Sequence, residues 1–401
     1  MAKTVLILGA SYVGLGVTHG HATSTLSPVL KHALKNKQDE YRVVLVSPTT
    51  HHYWNIASVR AIVPGQFSDE KLFASIPDGL EKYGNTVEFV LGLATQLNTD
   101  TKTVTIMTDK GERQQQYEIL VIATGSRAKG NAKVPWYTST SGYEATKEIL
   151  HKFQELVKNS KTIAIGGGGP TGVETAGELA FEYGSQKEIT LITSGSKLLT
   201  SGTSGMASAA DRELRKLHAQ IIYSTKITDA KPTSKDQTEL FLSDGTTKTV
   251  DLYLPTLGSI PNSEFIPETF LNDSKYLMVD NFFRVKNAQD VWAAGDITDL
   301  EPSQYVYAEK QTTALIHNLN MVINGKEPIA YKPGPLILGV TLGRCKATGR
   351  LGPLPLPSIV LWFASTFYLS SRVKNKTLII LLEGRTLATE NLQPLVSGRK
   401  F

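Results

Sequence analysis

Two short stretches of this chain place glycines where a backbone must come close to a charged group. The first is Val5-Leu6-Ile7-Leu8-Gly9-Ala10-Ser11-Tyr12-Val13-Gly14. The second, 158 positions on from Gly9 to Gly167, is Thr162-Ile163-Ala164-Ile165-Gly166-Gly167-Gly168-Gly169-Pro170-Thr171-Gly172. In each, an apolar run reads as a buried parallel strand. A glycine turn and the first turn of a helix follow. The free N–H groups and the dipole of such a helix start attract a pyrophosphate. Three glycines serve the tight turn, the approach of phosphate and the packing of helix on strand. Gly167, Gly169 and Gly172 fill all three places of the second stretch, with Pro170 and Thr171 between the last two. In the first, Gly9 and Gly14 are present, and Ser11, followed by Tyr12, takes the middle place. Each stretch also has a downstream echo, Ile119-Leu120-Val121-Ile122-Ala123-Thr124-Gly125 and Leu252-Tyr253-Leu254-Pro255-Thr256-Leu257-Gly258. Two fingerprints with two echoes imply two dinucleotides held by one protein, the layout of a flavoprotein that takes hydride from a nicotinamide.

Other residues fit that chemistry. The strand Tyr41–Ser47 ends in Ser47 where an acid would bond the adenosine ribose hydroxyls. The matching strand 188–194 ends in Ser194, again without an acid, and Ser196 and Lys197 follow. Nothing there repels a 2′-phosphate, so NADPH is expected within about an order of magnitude of NADH, ~1.4 kcal/mol. Ala294-Gly295-Asp296 ends a strand, and the Asp296 carboxylate is placed for the ribityl hydroxyls of a flavin, with a helix near 308–324 aiming its N-terminus at the ring. The segment 51–60 reads as a polar-aromatic flavin wall with Arg60 near phosphate. Adjacent His51 and His52 do not share a helix face, so no metal site is read there.

Composition narrows the classes. The 401 residues allow two or three domains, and 41% hydrophobic with 20% charged residues fits a globular enzyme. No run reaches the ~18 unbroken apolar residues of a membrane span. With the first strand beginning near Lys3 and no glycine for myristoylation after Met1, the expected location is cytoplasmic or on a cytosol-facing surface. Cys345 is the sole cysteine, which excludes a redox cysteine pair, so electrons must leave a flavin directly for an acceptor. No nucleic-acid motif is present. Residues 331–401 carry ten basic against two acidic side chains, a charge of +8 that leaves −3 for the rest of a chain whose net charge is +5. The same segment holds an apolar helix from Ser358, its expected cap, to Leu369. That helix suits a core, a homodimer partner or peripheral contact with a membrane.

The elements that position these groups divide as follows. Residues 1–126 and 251–330 form a discontinuous FAD-binding domain. Residues 127–250 form an NAD(P)H-binding domain, opening with a linker and a charged helix near 144–158. Residues 331–401 form a third domain. The fold class is α/β: two Rossmann-like domains of the glutathione-reductase type plus a small C-terminal α+β domain.

With those motifs in place, the chain resembles the apoptosis-inducing-factor-like NAD(P)H:quinone oxidoreductases, the group that includes ferroptosis suppressor protein and fungal relatives. It is more distantly similar to type II NADH dehydrogenases. The likeness covers nearly the whole length and is most specific at 166–178, at Tyr331-Lys332-Pro333-Gly334 and at Leu342-Gly343-Arg344 with Gly349. The resemblance implies non-covalent FAD on Gly9, Ser11, Gly14, Arg60, Thr124 and Asp296. It places NAD(P)H on Gly167, Gly169, Gly172 and Glu174, with Glu174 beside the nicotinamide–flavin contact. It implies transfer of two electrons through the flavin to a quinone. A flavoenzyme acting on a small metabolite of a biosynthetic pathway is the first rival, and a redox-sensing regulatory protein the second.

Overall fold

A computed structural model of the chain describes residues 2–19, 41–359 and 361. The first parallel sheet runs, from edge to edge, Val291–Ala293, Ile119–Ile122, Lys3–Leu8, Tyr41–Ser47 and Val87–Leu91. Side chains of a strand alternate between faces, and here both faces are covered. Val5, Ile7, Val43 and Leu45 belong to one buried cluster, and Leu6, Leu8, Val44 and Val46 to another. Burial on both sides is why these strands read as unbroken apolar runs.

The second parallel sheet is ordered Gln220–Ile222, Glu188–Ile192, Thr162–Gly166, Leu252–Pro255. It corrects the expected boundary at 250. Leu252–Pro255 pairs in parallel register with Ile163–Gly166, so the second unit keeps this strand. The echo of the second fingerprint is thus a neighbour in its own sheet, as Ile119–Ile122 is in the first. In both units a three-stranded antiparallel sheet comes just before the echo strand. Its strands are Leu93–Asn98, Thr103–Thr108 and Gly111–Gln116 in the first unit, and Ile227–Pro232, Thr238–Leu242 and Thr247–Val250 in the second. Ser126–Ala128 and Ser259–Pro261, the segments leaving the two echo strands, pair antiparallel and carry the chain between the units.

The helix Tyr143–Asn159 spans the segment expected to be helical, and Tyr305–Ile323 begins three residues before its expected start. Beyond residue 331 the described chain forms an antiparallel sheet of Ile337–Leu342, Lys346–Leu351 and Leu354–Leu356. This sheet packs on the helix Pro170–Tyr183. The Ser358 Oγ accepts from the Ala347 N–H at 3.0 Å and ties the chain back to the sheet, and the helix it was expected to cap lies largely outside the described residues. The aromatic stretch 362–369 and the eight charged positions beyond it lie outside the described residues. Among the described residues no helix is long and apolar enough to cross a membrane.

Gly177 lies where that helix meets the sheet, and a Cβ on it would stand 2.6 Å from the Gly343 backbone nitrogen. On an exposed helix, Gly→Ala stabilises by ~1 kcal/mol. Here the clash should reverse the sign. Gly177→Ala is expected to lose about 1–3 kcal/mol by overpacking, seen as a lower urea midpoint. A midpoint raised or unchanged would show that the two elements separate freely.

Candidate active site

The two fingerprints fold alike because their glycines meet the same obstacles. Gly9 and Gly167 have φ of +102° and +122°. A Cβ on Gly14 would lie 1.7 Å from the Gly9 oxygen, and one on Gly172 1.9 Å from the Gly167 oxygen. Any side chain at these positions would push the helix off its strand. Gly169 differs: a Cβ there would meet nothing within 4 Å. It is also the N-cap of the helix Pro170–Tyr183 and offers no side chain as cap, with proline at the first position. The first N–H groups of this helix therefore remain available to an anion. A three-dimensional cradle of this kind fits a dinucleotide phosphate.

One cleft of about 1500 Å³ collects most of the expected residues. From the first unit it is lined by Gly9, Ser11, Tyr12, Ser47, Ala123, Thr124, Gly125 and Asp296. From the second unit Pro170, Thr171 and Glu174 reach the same cleft. Gly169, Pro170 and Thr171 also line a smaller adjoining pocket of about 230 Å³ with Thr256 and Gly258. Gly14, Gly167 and Gly172 sit behind the cradles and shape them.

Asp296 follows Gly295, whose N–H donates to Gln311 Oε1 at 2.8 Å, which fixes the turn. Ser126 Oγ donates to Asp296 Oδ2 at 3.1 Å. Burial raises the Asp296 pKa above the usual carboxylate value, and the Ser126 hydrogen bond opposes that rise. Glu174 lies between its helix and the third sheet. Its Oε1 accepts from the Thr341 N–H at 3.0 Å and from Thr341 Oγ1 at 3.1 Å. Desolvation dominates these hydrogen bonds and pushes its pKa up to about 7. With Oε1 occupied as an acceptor, a proton on this carboxyl belongs on Oε2.

Tyr12 and the wall segment 51–60 were expected near the site, whereas Tyr305, Trp136 and Tyr137 were not legible beforehand. Tyr12 packs edge-on to His52, with centroids 5.0 Å apart, and to Tyr305 at 5.1 Å, and its hydroxyl donates to Asn55 Oδ1 at 2.9 Å. Tyr12, His52 and Tyr305 form an aromatic wall of the cleft, with Asn55 beside it. Trp136 and Tyr137, in the segment expected to be only a linker, line the cleft too. Their signal is spatial: Asn55 Nδ2 donates to the Trp136 oxygen across 81 positions of sequence.

Two expected site residues need correction. Arg60 does not line the cleft. Its Nε and Nη2 donate to Glu178 Oε1 at 2.8 and 2.6 Å. Glu178 is 1% exposed, and Arg344 holds its other oxygen at 3.3 Å, so the structure engages Arg60 in an ion cluster away from the cleft lining. Ser194 is exposed and lines neither pocket; Thr193 holds the place next to the strand. Arg60→Ala should therefore lower the thermal midpoint through loss of a charged hydrogen bond, about 1.5–3 kcal/mol, and keep bound FAD. Loss of FAD with the midpoint unchanged would restore the phosphate role.

The comparisons with known proteins agree with this geometry. The family described as pyridine nucleotide-disulphide oxidoreductase matches residues 29–312. Oxidoreductase ptaL of Pestalotiopsis fici is 38% identical over 361 residues, which are 89% of this chain and 94% of that protein. Ferroptosis suppressor protein 1 of Xenopus tropicalis is 25% identical over 86% of this chain and 88% of its own length. Among solved structures, NDH2 of Plasmodium falciparum in complex with NADH superposes with a TM-score of 0.72 at 16% identity, over 95% of both chains. The sulfide:quinone oxidoreductase of Aquifex aeolicus superposes with a TM-score of 0.71 at 20% identity, over 96% of this chain and 92% of that one. The glycine cradles, the shared cleft and these likenesses make the chain a member of the pyridine nucleotide-disulphide oxidoreductase family, related to the ferroptosis suppressor and apoptosis-inducing-factor group, with FAD and NAD(P)H as its cofactors.

Proposed function

We propose that the protein passes two electrons from NAD(P)H through FAD to a quinone-like small molecule. The observation that carries this is the convergence of both dinucleotide units on one cleft, Ser11 and Asp296 from the first and Thr171 and Glu174 from the second. In this reading the first cradle and Asp296 hold FAD, the second holds NAD(P)H, and the described part of the third domain closes the cleft through Ile337, Leu338 and Gly339. FAD, when bound, supplies the two-electron relay. The protein supplies alignment, which turns a bimolecular encounter into a nearly unimolecular one.

A quinone takes up a hydride and one proton to become a hydroquinone. In this reading Glu174, a half-buried carboxyl on the cleft wall, gives that proton from Oε2. With a pKa near 7 it is protonated below neutrality and ionised above. The aromatic wall of Tyr12, His52 and Tyr305 suits a planar, conjugated acceptor. Cys345 has no cysteine partner, so no disulfide relay intervenes. The relative from Aquifex acts, by its name, on a quinone, whereas that from Pestalotiopsis is named simply an oxidoreductase. Cyclic enones of the kind found among small metabolites therefore belong in the acceptor screen.

The test is anaerobic. NADH or NADPH should bleach the yellow flavin, and a quinone should restore it far faster than a cyclic enone. Recovery with the enone alone would move the protein to metabolite chemistry, and no bleaching by either nucleotide would end the proposal. For the acceptor step, the wild-type rate should fall about tenfold per unit of pH above about 7, and Glu174→Gln should be slow and flat across that range. A Gln variant that keeps the wild-type slope would remove Glu174 from proton delivery.

A further inference from the structure

Tyr331 opens the segment Tyr331-Lys332-Pro333-Gly334, and nothing in the proposed reaction uses it. It lines neither the cleft nor the adjoining pocket. Its hydroxyl nonetheless begins a hydrogen-bond relay that ends at the cleft wall. Tyr331 Oη donates to Glu301 Oε2 at 2.8 Å. Gln311 Nε2 donates to the same oxygen at 2.9 Å. Gln311 Oε1 in turn accepts from the Gly295 N–H at 2.8 Å. Gly295 makes the turn before Asp296, and both residues line the cleft. The relay has one direction. A carboxylate only accepts, so the Gln311 amide turns its NH₂ to Glu301 and its oxygen to the Gly295 N–H. Burial and the Glu301 carboxylate hold the Tyr331 hydroxyl above its ordinary pKa, so it keeps the proton that it donates.

Both ends of the relay are anchored. Gly295 has φ of +81°, and a Cβ on it would stand 2.8 Å from Val13 Cγ2. The turn is therefore pressed against the helix Tyr12–His19 of the first cradle. Gln311 is buried, and its neighbour Thr312 packs on that same helix, where a Cβ on Gly16 would lie 2.6 Å from Thr312 Cγ2. At the other end the Tyr331 N–H donates to the Asn281 oxygen at 2.7 Å, and the Tyr331 and Phe283 ring centroids are 5.1 Å apart. Just before it, Asn318 clamps Ile329: Nδ2 donates to the Ile329 oxygen at 2.9 Å, and Oδ1 accepts from the Ile329 N–H at 2.8 Å. The relay thus runs from the start of the third domain to a turn in the first unit. Without the carboxylate, the buried Gln311 amide is free to turn over and set its NH₂ against the Gly295 N–H, leaving two donors face to face.

We infer that Tyr331 is a positioning residue of the flavin site: acting through Glu301 and Gln311, its hydroxyl holds the Gly295 turn that presents Asp296 to the cleft. This rests on FAD occupying the first unit and not on the identity of the acceptor. The start of the third domain then sets how tightly the first unit keeps its cofactor.

Release of FAD from the diluted full-length holoprotein, followed by flavin fluorescence, tests this without turnover. Tyr331→Phe should raise the FAD dissociation constant at least threefold. Gln311→Glu, which sets two carboxylates against each other, should raise it at least tenfold. Adding Glu301→Gln to Gln311→Glu exchanges the two groups. The amide at 301 then accepts from Tyr331 and donates to the acid at 311, whose other oxygen accepts from the Gly295 N–H. This exchanged pair should return the constant to within threefold of the wild type, whereas two substitutions that merely disturb a buried contact would add. Should Gln311→Glu give no soluble protein, Tyr331→Phe and the exchanged pair decide the matter. The inference is overturned if Tyr331→Phe keeps FAD as the wild type does, or if the exchanged pair holds FAD no better than Gln311→Glu. A wild-type protein that takes up no FAD would overturn the reading of the first unit and this inference with it; FAD held alike by the wild type and every variant would overturn the inference alone.

Discussion

A single buried carboxylate holds the parts of this molecule together. Glu178, in the middle of the helix Pro170–Tyr183, faces Arg60 from the first unit and Arg344 from the C-terminal sheet. Arg344 also reaches Glu182 at 2.7 Å. A carboxylate taken out of water needs such partners, because an uncompensated buried charge destabilises by several kcal/mol. The requirement acts on geometry as much as on energy. Glu174 stands one turn before Glu178 on the same helix, so the ion cluster that joins three parts of the chain also sets where Glu174 lies. Gly177, between the two acids, allows the sheet bearing Thr341 to come close enough to hold Glu174.

The two dinucleotide units repeat one solution. Each has a strand whose last carbonyl is met by the echo strand, a glycine turn closed on its own helix, and a hydroxyl residue turning the chain after the second strand. The repetition turns sequence positions into structural equivalents. It shows which departures matter: a side chain at Ser11 and open space at Gly169 distinguish the two cradles, whereas Ser47 and Thr193 make them alike.

Local signals carried much of this. Apolar runs followed by glycine turns located both cradles, and Ala294-Gly295-Asp296, a strand end and turn contiguous in sequence, lines the same cleft as the first cradle. Distant contacts were not legible. Arg60 was placed near phosphate as part of the wall segment 51–60 and by the family resemblance, whereas the partner it meets, Glu178, lies 118 positions away. The strand was taken to end at Ser194 because the apolar run does not reveal which residue is last in register; the pairing of Gly166 with Ile192 does. Leu252–Pro255 was counted with the wrong unit for the same reason: a short apolar strand does not announce its sheet.

The first parallel sheet has one more property. Its edge strand Val291–Ala293, with Asp296 just beyond, pairs with Ile119–Ile122 only after the entire second unit has been traversed. On a ribosome the chain emerges from its N-terminus, and domains generally fold as units. The second unit, continuous from Thr162 to Pro255, has all its parallel strands as soon as Pro255 is out. The first must wait with an open sheet edge and an incomplete cleft. The order of assembly is therefore the reverse of the order in sequence, and the site containing Asp296 is the last to be completed during synthesis.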